Sequence, residues 1–169
     1  MKIGLLSDTH GFLDEKLLNC FKDCDELWHA GDIGEVKVLD KLKSFKTTRA
    51  VYGNIDSLDV QVKTDLELNF EINKVRFWMT HIGAKPKNYN PGIRKKLDAI
   101  KPDIFICGHS HICKIQYDEN RKLLYINPGA CGNHGFHKIK TALRFDIGDG
   151  KLENMEVIEL GKIGVKTNK

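Results

Sequence analysis

The chain has 169 residues, of which 41% are hydrophobic and 30% charged, a balance typical of a globular protein with one buried core. No apolar run approaches the roughly 18–20 residues that a membrane helix needs, so the sequence predicts no membrane association. The formal charge of +4 comes mostly from lysines scattered along helix-like segments. This pattern favours a solvated surface and argues against a groove for long nucleic acid.

The start of the chain and its cysteines predict a cytoplasmic location. The segment MKIGLLSDTHG turns polar after only a few apolar residues, unlike a secretory signal peptide. The five cysteines are odd in number and irregularly spaced, so we expect reduced thiols rather than a disulfide framework. We therefore expect one cytoplasmic domain over residues 1–169.

The first third of the chain alternates predicted strands and helices. Apolar runs predict strands at 2–6, 26–31 and 47–54, and helical spacing of apolar residues predicts helices at 14–21 and 35–45. This alternation indicates parallel strands with helices packed outside them.

The remaining chain is richer in antiparallel signals. Segments 65–72 and 74–81 are separated by little more than Asn73, which predicts a hairpin. Pro91 near the start of segment 91–100 predicts a helix there. Further strands are predicted at 103–108, 114–118 and 122–127, a second hairpin at 141–147 and 151–160, and a frayed tail at 161–169. Together the two parts predict two packed sheets with helices outside.

Polar side chains able to bind a metal follow five of the predicted strands. Ligands of open α/β sheets lie beyond the carboxyl ends of the strands, and residues two apart in an extended chain point the same way. We therefore expect these side chains to converge on one site. They are Asp8, His10, Asp32, Asn54, His81, His109 and His111.

The composition of this set predicts a centre with two metal ions. Seven ligands are too many for one tetrahedral ion, and they suit two ions that share a bridging carboxylate. The absence of cysteine from the set argues against thiolate zinc and iron–sulfur sites, and mixed nitrogen and oxygen ligands favour Mn²⁺, Fe²⁺, Co²⁺, Ni²⁺ or Zn²⁺. The residual positive charge of two such ions would attract a phosphate group.

The motifs DTH, GD, GN, a single histidine after an apolar strand, and GHSH occur in this order. The chain thereby resembles the calcineurin-like metallophosphoesterases over nearly its whole length. Its size and the later NPGA resemble the small bacterial and archaeal phosphodiesterase branch. The resemblance implies an αββα sandwich of two mixed β-sheets flanked by helices.

The resemblance also implies a role for each ligand. The first ion would be held by Asp8, His10 and His111, the second by Asn54, His81 and His109, and Asp32 would bridge them. Catalytic roles fall to Asn54, His109 and Asp32. The implied reaction is hydrolysis of a phosphodiester by a hydroxide that two metal ions activate, with Mn²⁺ as the first choice of metal.

One position departs from the pattern of many members of the superfamily. They have a histidine directly after GN that protonates the leaving group, whereas this chain has Ile55. A general acid is typically worth a factor of about 10²–10⁴ in rate, and isoleucine cannot donate a proton. A small phosphodiester or nucleotide-like substrate with a good leaving group is therefore expected, with a phosphomonoester as the alternative.

Four further residues are candidates for the surroundings of the site. His134 and His137 lie just past NPGA and could bind substrate phosphate or replace the missing acid, or could belong to an ordinary surface loop. Asp56 could orient a ligand histidine as a second-shell residue, or could simply be a turn residue. His29 is expected to be a packed strand histidine or a support for the site rather than a ligand.

The alternative to an enzyme is a non-catalytic, protein-binding function. The retromer subunit Vps29 resembles this branch and serves as a protein-binding scaffold. All seven ligand positions hold plausible ligands in this chain, which favours the enzyme. The physiological substrate and the oligomeric state stay open, with a homo-oligomer as one option.

Overall fold

The computed structural model describes residues 1–163 and contains two five-stranded mixed sheets with a shared apolar core. In the first sheet the strands lie in the order Leu152–Lys162, Ile139–Ile147, Lys2–Leu6, Glu26–Ala30 and Thr47–Val51. In the second sheet the order is Glu67–Ile72, Val75–Thr80, Ile104–Ile106, Leu123–Pro128 and Cys113–Asp118. The two packed sheets expected from the sequence are therefore confirmed.

The first sheet combines three parallel strands with one antiparallel hairpin. Its parallel strands are β1 (Lys2–Leu6), β2 (Glu26–Ala30) and β3 (Thr47–Val51), and its hairpin strands are β9 (Ile139–Ile147) and β10 (Leu152–Lys162). Because β1, β2 and β3 run in the same direction, the loops that follow them meet at one edge of the sheet.

The second sheet has a parallel centre with antiparallel strands at both edges. Its strands are β4 (Glu67–Ile72), β5 (Val75–Thr80), β6 (Ile104–Ile106), β7 (Cys113–Asp118) and β8 (Leu123–Pro128). The predicted first hairpin is present. Its two-residue turn, Asn73 and Lys74, has φ values of 49° and 66°, as the tight turns favoured in hairpins require.

The main core lies between the sheets, where alternate residues of the strands face one another. Trp28 from the first sheet packs edge-on against Phe70 and Phe77 of the second, with ring centroids 5.0 and 4.9 Å apart. Both Trp28 and Phe77 are fully buried. The burial of these large side chains fixes the two sheets in the orientation that brings their strand ends together.

Helices cover the outer faces of both sheets and complete the αββα sandwich. Helices α1 (Glu15–Cys20) and α2 (Val36–Phe45) pack on the first sheet, and α4 (Pro91–Ile100) packs on the second. The side chain of Asn90 caps α4 by accepting from the N–H of Ile93, and a proline occupies the first helical position.

Two sequence predictions need correction. A short helix, α3 (Leu58–Gln61), was not predicted, because its four residues carry no periodic apolar pattern. Strand β10 continues to Lys162, so the start of the segment predicted to be frayed pairs with β9 instead. The remainder of that prediction, residues 164–169, lies outside the described residues.

Candidate metal centre

Six of the seven predicted metal ligands form two groups at the edge where both sheets end their parallel strands. One group is Asp8, His10 and His111, and the other is Asp32, His81 and His109. In each group the three potential ligand atoms lie within 4.8 Å of one another. Each group draws on both sheets, so the site forms only when the sheets are packed together.

The first group is centred on the carboxylate of Asp8, which is fully buried. Its Oδ1 lies 3.2 Å from Nε2 of His111, and that nitrogen lies 3.3 Å from Nε2 of His10. Two imidazole nitrogens and a carboxylate oxygen thus point toward a common point. The backbone N–H of His109 donates to both oxygens of Asp8, at 3.2 and 3.1 Å, and fixes its orientation.

The second group is centred on Asp32, whose carboxylate extends toward both groups. Its Oδ1 lies 3.1 Å from Nε2 of His81, and its Oδ2 lies 3.7 Å from Nε2 of His10 in the first group. The rings of His81 and His109 are 5.3 Å apart and nearly perpendicular. A carboxylate with one oxygen toward each group has the arrangement expected of a bridging ligand.

The hydrogen bonding of His81 leaves Nε2 available as a ligand. Its Nδ1 lies 2.8 Å from the carbonyl oxygen of Ala30, which only accepts, so Nδ1 carries the proton. The opposite nitrogen, Nε2, is buried and has no well-aligned hydrogen-bond partner among residues 1–163. A backbone carbonyl that fixes the tautomer in this way is typical of metal-binding histidines. The donor set and this buried nitrogen therefore fit divalent metal ions.

The ionisable groups of the site shift one another's pKa values. Burial lowers the pKa of His10, and the nearby Asp32 and Asp8 only partly oppose it. Burial also disfavours the charged forms of Asp32 and His81. Their mutual interaction outweighs this effect, so the pKa of Asp32 is lowered and that of His81 raised.

The backbone of the ligand loops is held in an uncommon conformation. Positive φ values between 46° and 68° occur at five of the candidate ligands: Asp8, His10, Asp32, His109 and His111. Aspartate and histidine enter this region more readily than most residues, but it remains costly for them. Such outliers cluster at functional sites, where the surrounding structure holds them in place.

Two glycines of the motifs are required by close packing around the ligands. A Cβ atom at Gly53, in the GN motif, would overlap Oδ1 of Asp32. A Cβ atom at Gly108, in GHSH, would overlap Oγ of Ser7 and lie 2.9 Å from Oδ2 of Asp8. The absence of a side chain at these positions lets three loops approach one another closely enough to share the site.

Asp56 supports the ligand loops through the backbone. Its carboxylate accepts hydrogen bonds from the N–H groups of Gly53, Ile33 and Gly34 at 2.8, 3.1 and 2.6 Å. Two of these bonds come from the loop after Asp32 and one from Gly53, so they join the loops of the GD and GN motifs rather than orient an imidazole. The orientation of a histidine by Asp56 stays a prediction without a supporting contact, and the structure gives this residue a different positioning task.

Sequence reasoning did not single out Asn127, which holds the GHSH loop. Its amide donates to the carbonyl of Gly108 at 2.7 Å and to Oγ of Ser110 at 3.1 Å. Its Oδ1 accepts from the N–H of Gly129 at 2.9 Å, and the whole side chain is buried. The sequence does contain a signal for this residue. The asparagine of NPGA comes at the end of an apolar strand, as the candidate metal ligands do.

The remaining candidates surround the two groups. Asn54 is exposed and lines a cavity of about 250 Å³ together with His81. The ring centroid of His134 lies 4.9 Å from that of His10, and that of His137 lies 5.3 Å from that of His111. Both loop histidines are therefore beside the first group, while Ile55 is 45% exposed and offers no proton.

The cysteines take no part in the site. All five are free, as expected from the sequence. Burial raises the pKa of both Cys107 and Cys131 to about 12, so these thiols stay protonated near neutral pH.

The comparison with protein families shows which family has this fold and this set of motifs. The model of the calcineurin-like phosphoesterase superfamily domain matches residues 1–150. The chain belongs to the calcineurin-like phosphoesterase superfamily. The recognition of this family from the five ordered motifs is thus confirmed.

Two archaeal members of the superfamily are similar in sequence. A protein named "Probable metallophosphoesterase" from Methanocaldococcus jannaschii is 33% identical over 139 residues, covering 77% of this chain and 68% of the relative. A protein named "Phosphodiesterase" from the same organism is 29% identical over 147 residues, covering 78% and 84%.

Solved structures share the fold of this chain at low sequence identity. Vps29 of Entamoeba histolytica, solved in complex with zinc, has a TM-score of 0.73 and 14% identity, and the match covers 94% of this chain and 99% of that protein. This likeness confirms the αββα fold. Within residues 1–163 no helix combines the length and apolar character needed to cross a membrane.

Proposed function

We propose that this phosphoesterase-superfamily protein is a phosphodiesterase that works with two metal ions. The observation that carries the proposal is the carboxylate of Asp32, which reaches toward His81 with one oxygen and toward His10 with the other. Two adjacent ligand groups joined by one carboxylate match the needs of a pair of ions about 3.5–4 Å apart.

The residues of the two groups would hold the ions, with Asn54 added to the second group and Mn²⁺ as the first choice of metal. Ions bound here would acidify a water to serve as the nucleophile and neutralise charge on the phosphoryl group. The chain contributes the orientation of the ligands, through the backbone contacts of Asp8 and the carbonyl partner of His81. It also excludes water from Asp8 and Asp32, which are almost fully buried.

Asn54 and His109 would contact the substrate. Both are exposed, whereas Asp32 and His81 beside them are buried, so a phosphoryl group can approach Asn54 and His109 from solvent. The amide of Asn54 would donate to a phosphoryl oxygen, and His109 would border the same group from the other loop. These roles follow the resemblance and are supported by the exposure of both side chains.

The leaving group sets the preference for a diester. Ile55 occupies the position from which many relatives donate a proton, so departure of a poor leaving group is not assisted there. His134 and His137 lie beside the first group and would contact the substrate, as their rings near His10 and His111 suggest. A small or nucleotide-like diester with a good leaving group fits this site, and a phosphomonoester is the alternative.

Hydrolysis of a nitrophenyl phosphodiester tests the proposal, with the corresponding monoester measured in parallel. Chelator-treated protein is supplied with Mn²⁺ and compared with the His109→Ala and Asp32→Ala variants. Asp149→Ala, which removes an exposed carboxylate paired with Lys74, is the matched control. We expect metal-dependent turnover of the diester that falls at least about 10²-fold in both site variants and persists in the control.

Other results would redirect the assignment. A preference for the monoester would point to a phosphomonoesterase in which His134 or His137 supplies the missing proton. Absence of turnover with Mn²⁺, Ni²⁺, Co²⁺, Fe²⁺ and Zn²⁺ would favour a protein-binding scaffold, the alternative that the shared Vps29 fold keeps relevant. The cytoplasmic location and a homo-oligomeric state remain predictions to be tested separately.

A further inference from the structure

A second cavity adjoins the metal centre on the side of the second group. It has a volume of about 420 Å³ and lies between the loop after β5 and the GHSH loop. His109 belongs both to the second ligand group and to the wall of this cavity. A substrate bound at the ions could therefore extend past His109 into the cavity.

Two lysines give the cavity an unbalanced positive charge. Lys85 and Lys114 both line it, and neither forms an ion pair or side-chain hydrogen bond within residues 1–163. No carboxylate is among the described lining residues. Asn88 and Ser110 add a side-chain amide and a hydroxyl to a wall that is otherwise mainly apolar.

A cavity near the end of α4 is also basic. It is lined by Arg76, Arg121, Lys101 and Lys122. Arg76 pairs with Asp103 at 2.8 Å and Arg121 with Asp98 at 3.2 Å, whereas the side chains of Lys101 and Lys122 form no ion pair within residues 1–163. None of the candidate metal ligands lines this cavity. The position beside His109, rather than positive charge alone, therefore distinguishes the cavity that holds Lys85 and Lys114.

The loop that carries Lys85 is held in a strained conformation. Ala84 has a φ of 56°, which is costly for a residue with a Cβ atom. The hydroxyl of Tyr125 donates to its carbonyl oxygen at 2.8 Å and fixes the loop in place. The neighbouring Gly83 packs so closely on β6 that a Cβ atom there would lie 2.6 Å from Cβ of Cys107. The cavity wall is therefore preorganised rather than formed by a freely moving loop.

We propose that this cavity binds a second phosphate group of the substrate while the scissile diester lies at the metal centre. The proposal rests on the phosphodiesterase function proposed above and narrows its substrate class to diesters that carry a further phosphate. A phosphate monoester has close to two negative charges and three acceptor oxygens, which match two lysines with an amide and a hydroxyl. A neutral substituent would leave the lysines without a partner.

Two esters that differ by one phosphate test the proposal. They are the 4-nitrophenyl ester of thymidine 5′-phosphate and the same ester with an additional 3′-phosphate. With Mn²⁺-loaded wild-type protein, we expect kcat/KM to be at least about tenfold higher for the ester with the additional phosphate, mainly through a lower KM. This preference should shrink at high ionic strength, because the lysines are near the surface.

Charge-matched variants locate the effect. Lys85→Gln combined with Lys114→Gln should abolish most of the preference, whereas the corresponding double arginine variant should retain it. Lys22→Gln combined with Lys95→Gln removes the same charge from two exposed lysines elsewhere and should keep the wild-type ratio. Equal loss of preference in this control would overturn the assignment to the cavity.

The wild-type result separates the two proposals. Hydrolysis of both esters with equal kcat/KM would contradict the phosphate subsite and leave the phosphodiesterase function standing. Hydrolysis of neither ester would contradict both the function and the subsite that rests on it.

Discussion

Nε2 of His29 lies 2.9 Å from Oγ1 of Thr9, deep in the protein between the DTH and GD loops. The N–H of Gly31 donates to Nδ1 of His29 at 3.1 Å, so the proton of the neutral ring is on Nε2 and is donated to Thr9. The hydroxyl of Thr9 in turn donates to the carbonyl of Ile33 at 2.9 Å. This chain ties together the loops that carry three of the candidate ligands.

The buried imidazole predicts a loss of stability in mild acid. Burial lowers the pKa of His29 to about 4, whereas the unfolded chain has a histidine pKa of about 6.5. Between these values the unfolded state binds more protons, so the free energy of unfolding falls as the pH drops, by up to about 3 kcal/mol at pH 4.

Urea denaturation of chelator-treated protein at about pH 7 and about pH 4.5 measures this effect. The His29→Gln variant has no titrating group at this position, so its stability should fall by about 2–3 kcal/mol less than that of the wild type over the same interval. An equal fall in both proteins would assign the acid sensitivity to the neighbouring carboxylates and histidines instead.

The number of bound ions follows from the two ligand groups. After loading with Mn²⁺ and removal of excess metal, the wild type should retain two ions per chain by elemental analysis. His111→Ala removes a ligand from the first group only and should retain one ion. Asp32→Ala removes the carboxylate shared by both groups and should weaken both sites. A wild type that holds a single ion would contradict the bridged arrangement.

Substitution of Gly53 should weaken metal binding without a large effect on the packing of the hydrophobic core. Alanine at this position would drive its Cβ atom into Oδ1 of Asp32, so we expect Mn²⁺ affinity to fall about 10–100-fold in Gly53→Ala. The control is Gly92→Ala, whose Cβ atom would come no closer than 3.4 Å to a neighbour. Equilibrium dialysis compares them, and equal affinities would show that the Asp32 loop can move aside.

Substitution of Asp56 should lower both the stability of the protein and its affinity for metal. Asn in its place would put an amide N–H group against backbone N–H donors that now have a carboxylate acceptor. We expect Asp56→Asn to lower the free energy of unfolding by about 2–3 kcal/mol and Mn²⁺ affinity by about 10–100-fold. Asp98→Asn, at an exposed ion pair, should change neither by a comparable amount. Intact metal affinity in Asp56→Asn would limit this residue to a role in folding.

The sequence alone determined the elements that depend on local pattern. Alternating strands and helices, the hairpin at Asn73 and the five motifs were readable because apolar periodicity and turn residues act over short stretches. The motifs also identified the chemistry, since aspartate and histidine repeatedly follow strands that end at the same edge. The sequence did not predict helix α3 or the last residues of strand β10, because these segments carry no periodic apolar pattern.

The tertiary structure decided which side chains meet and what supports them. Asp8 and His111 are about one hundred residues apart in sequence, yet their ligand atoms are 3.2 Å apart because the core between the sheets fixes the strand ends. The backbone contacts of Asp56, the amide contacts of Asn127 and the juxtaposition of Lys85 with Lys114 depend on loops converging from different strands. No local pattern records such convergence, because it arises from the packing of both sheets at once.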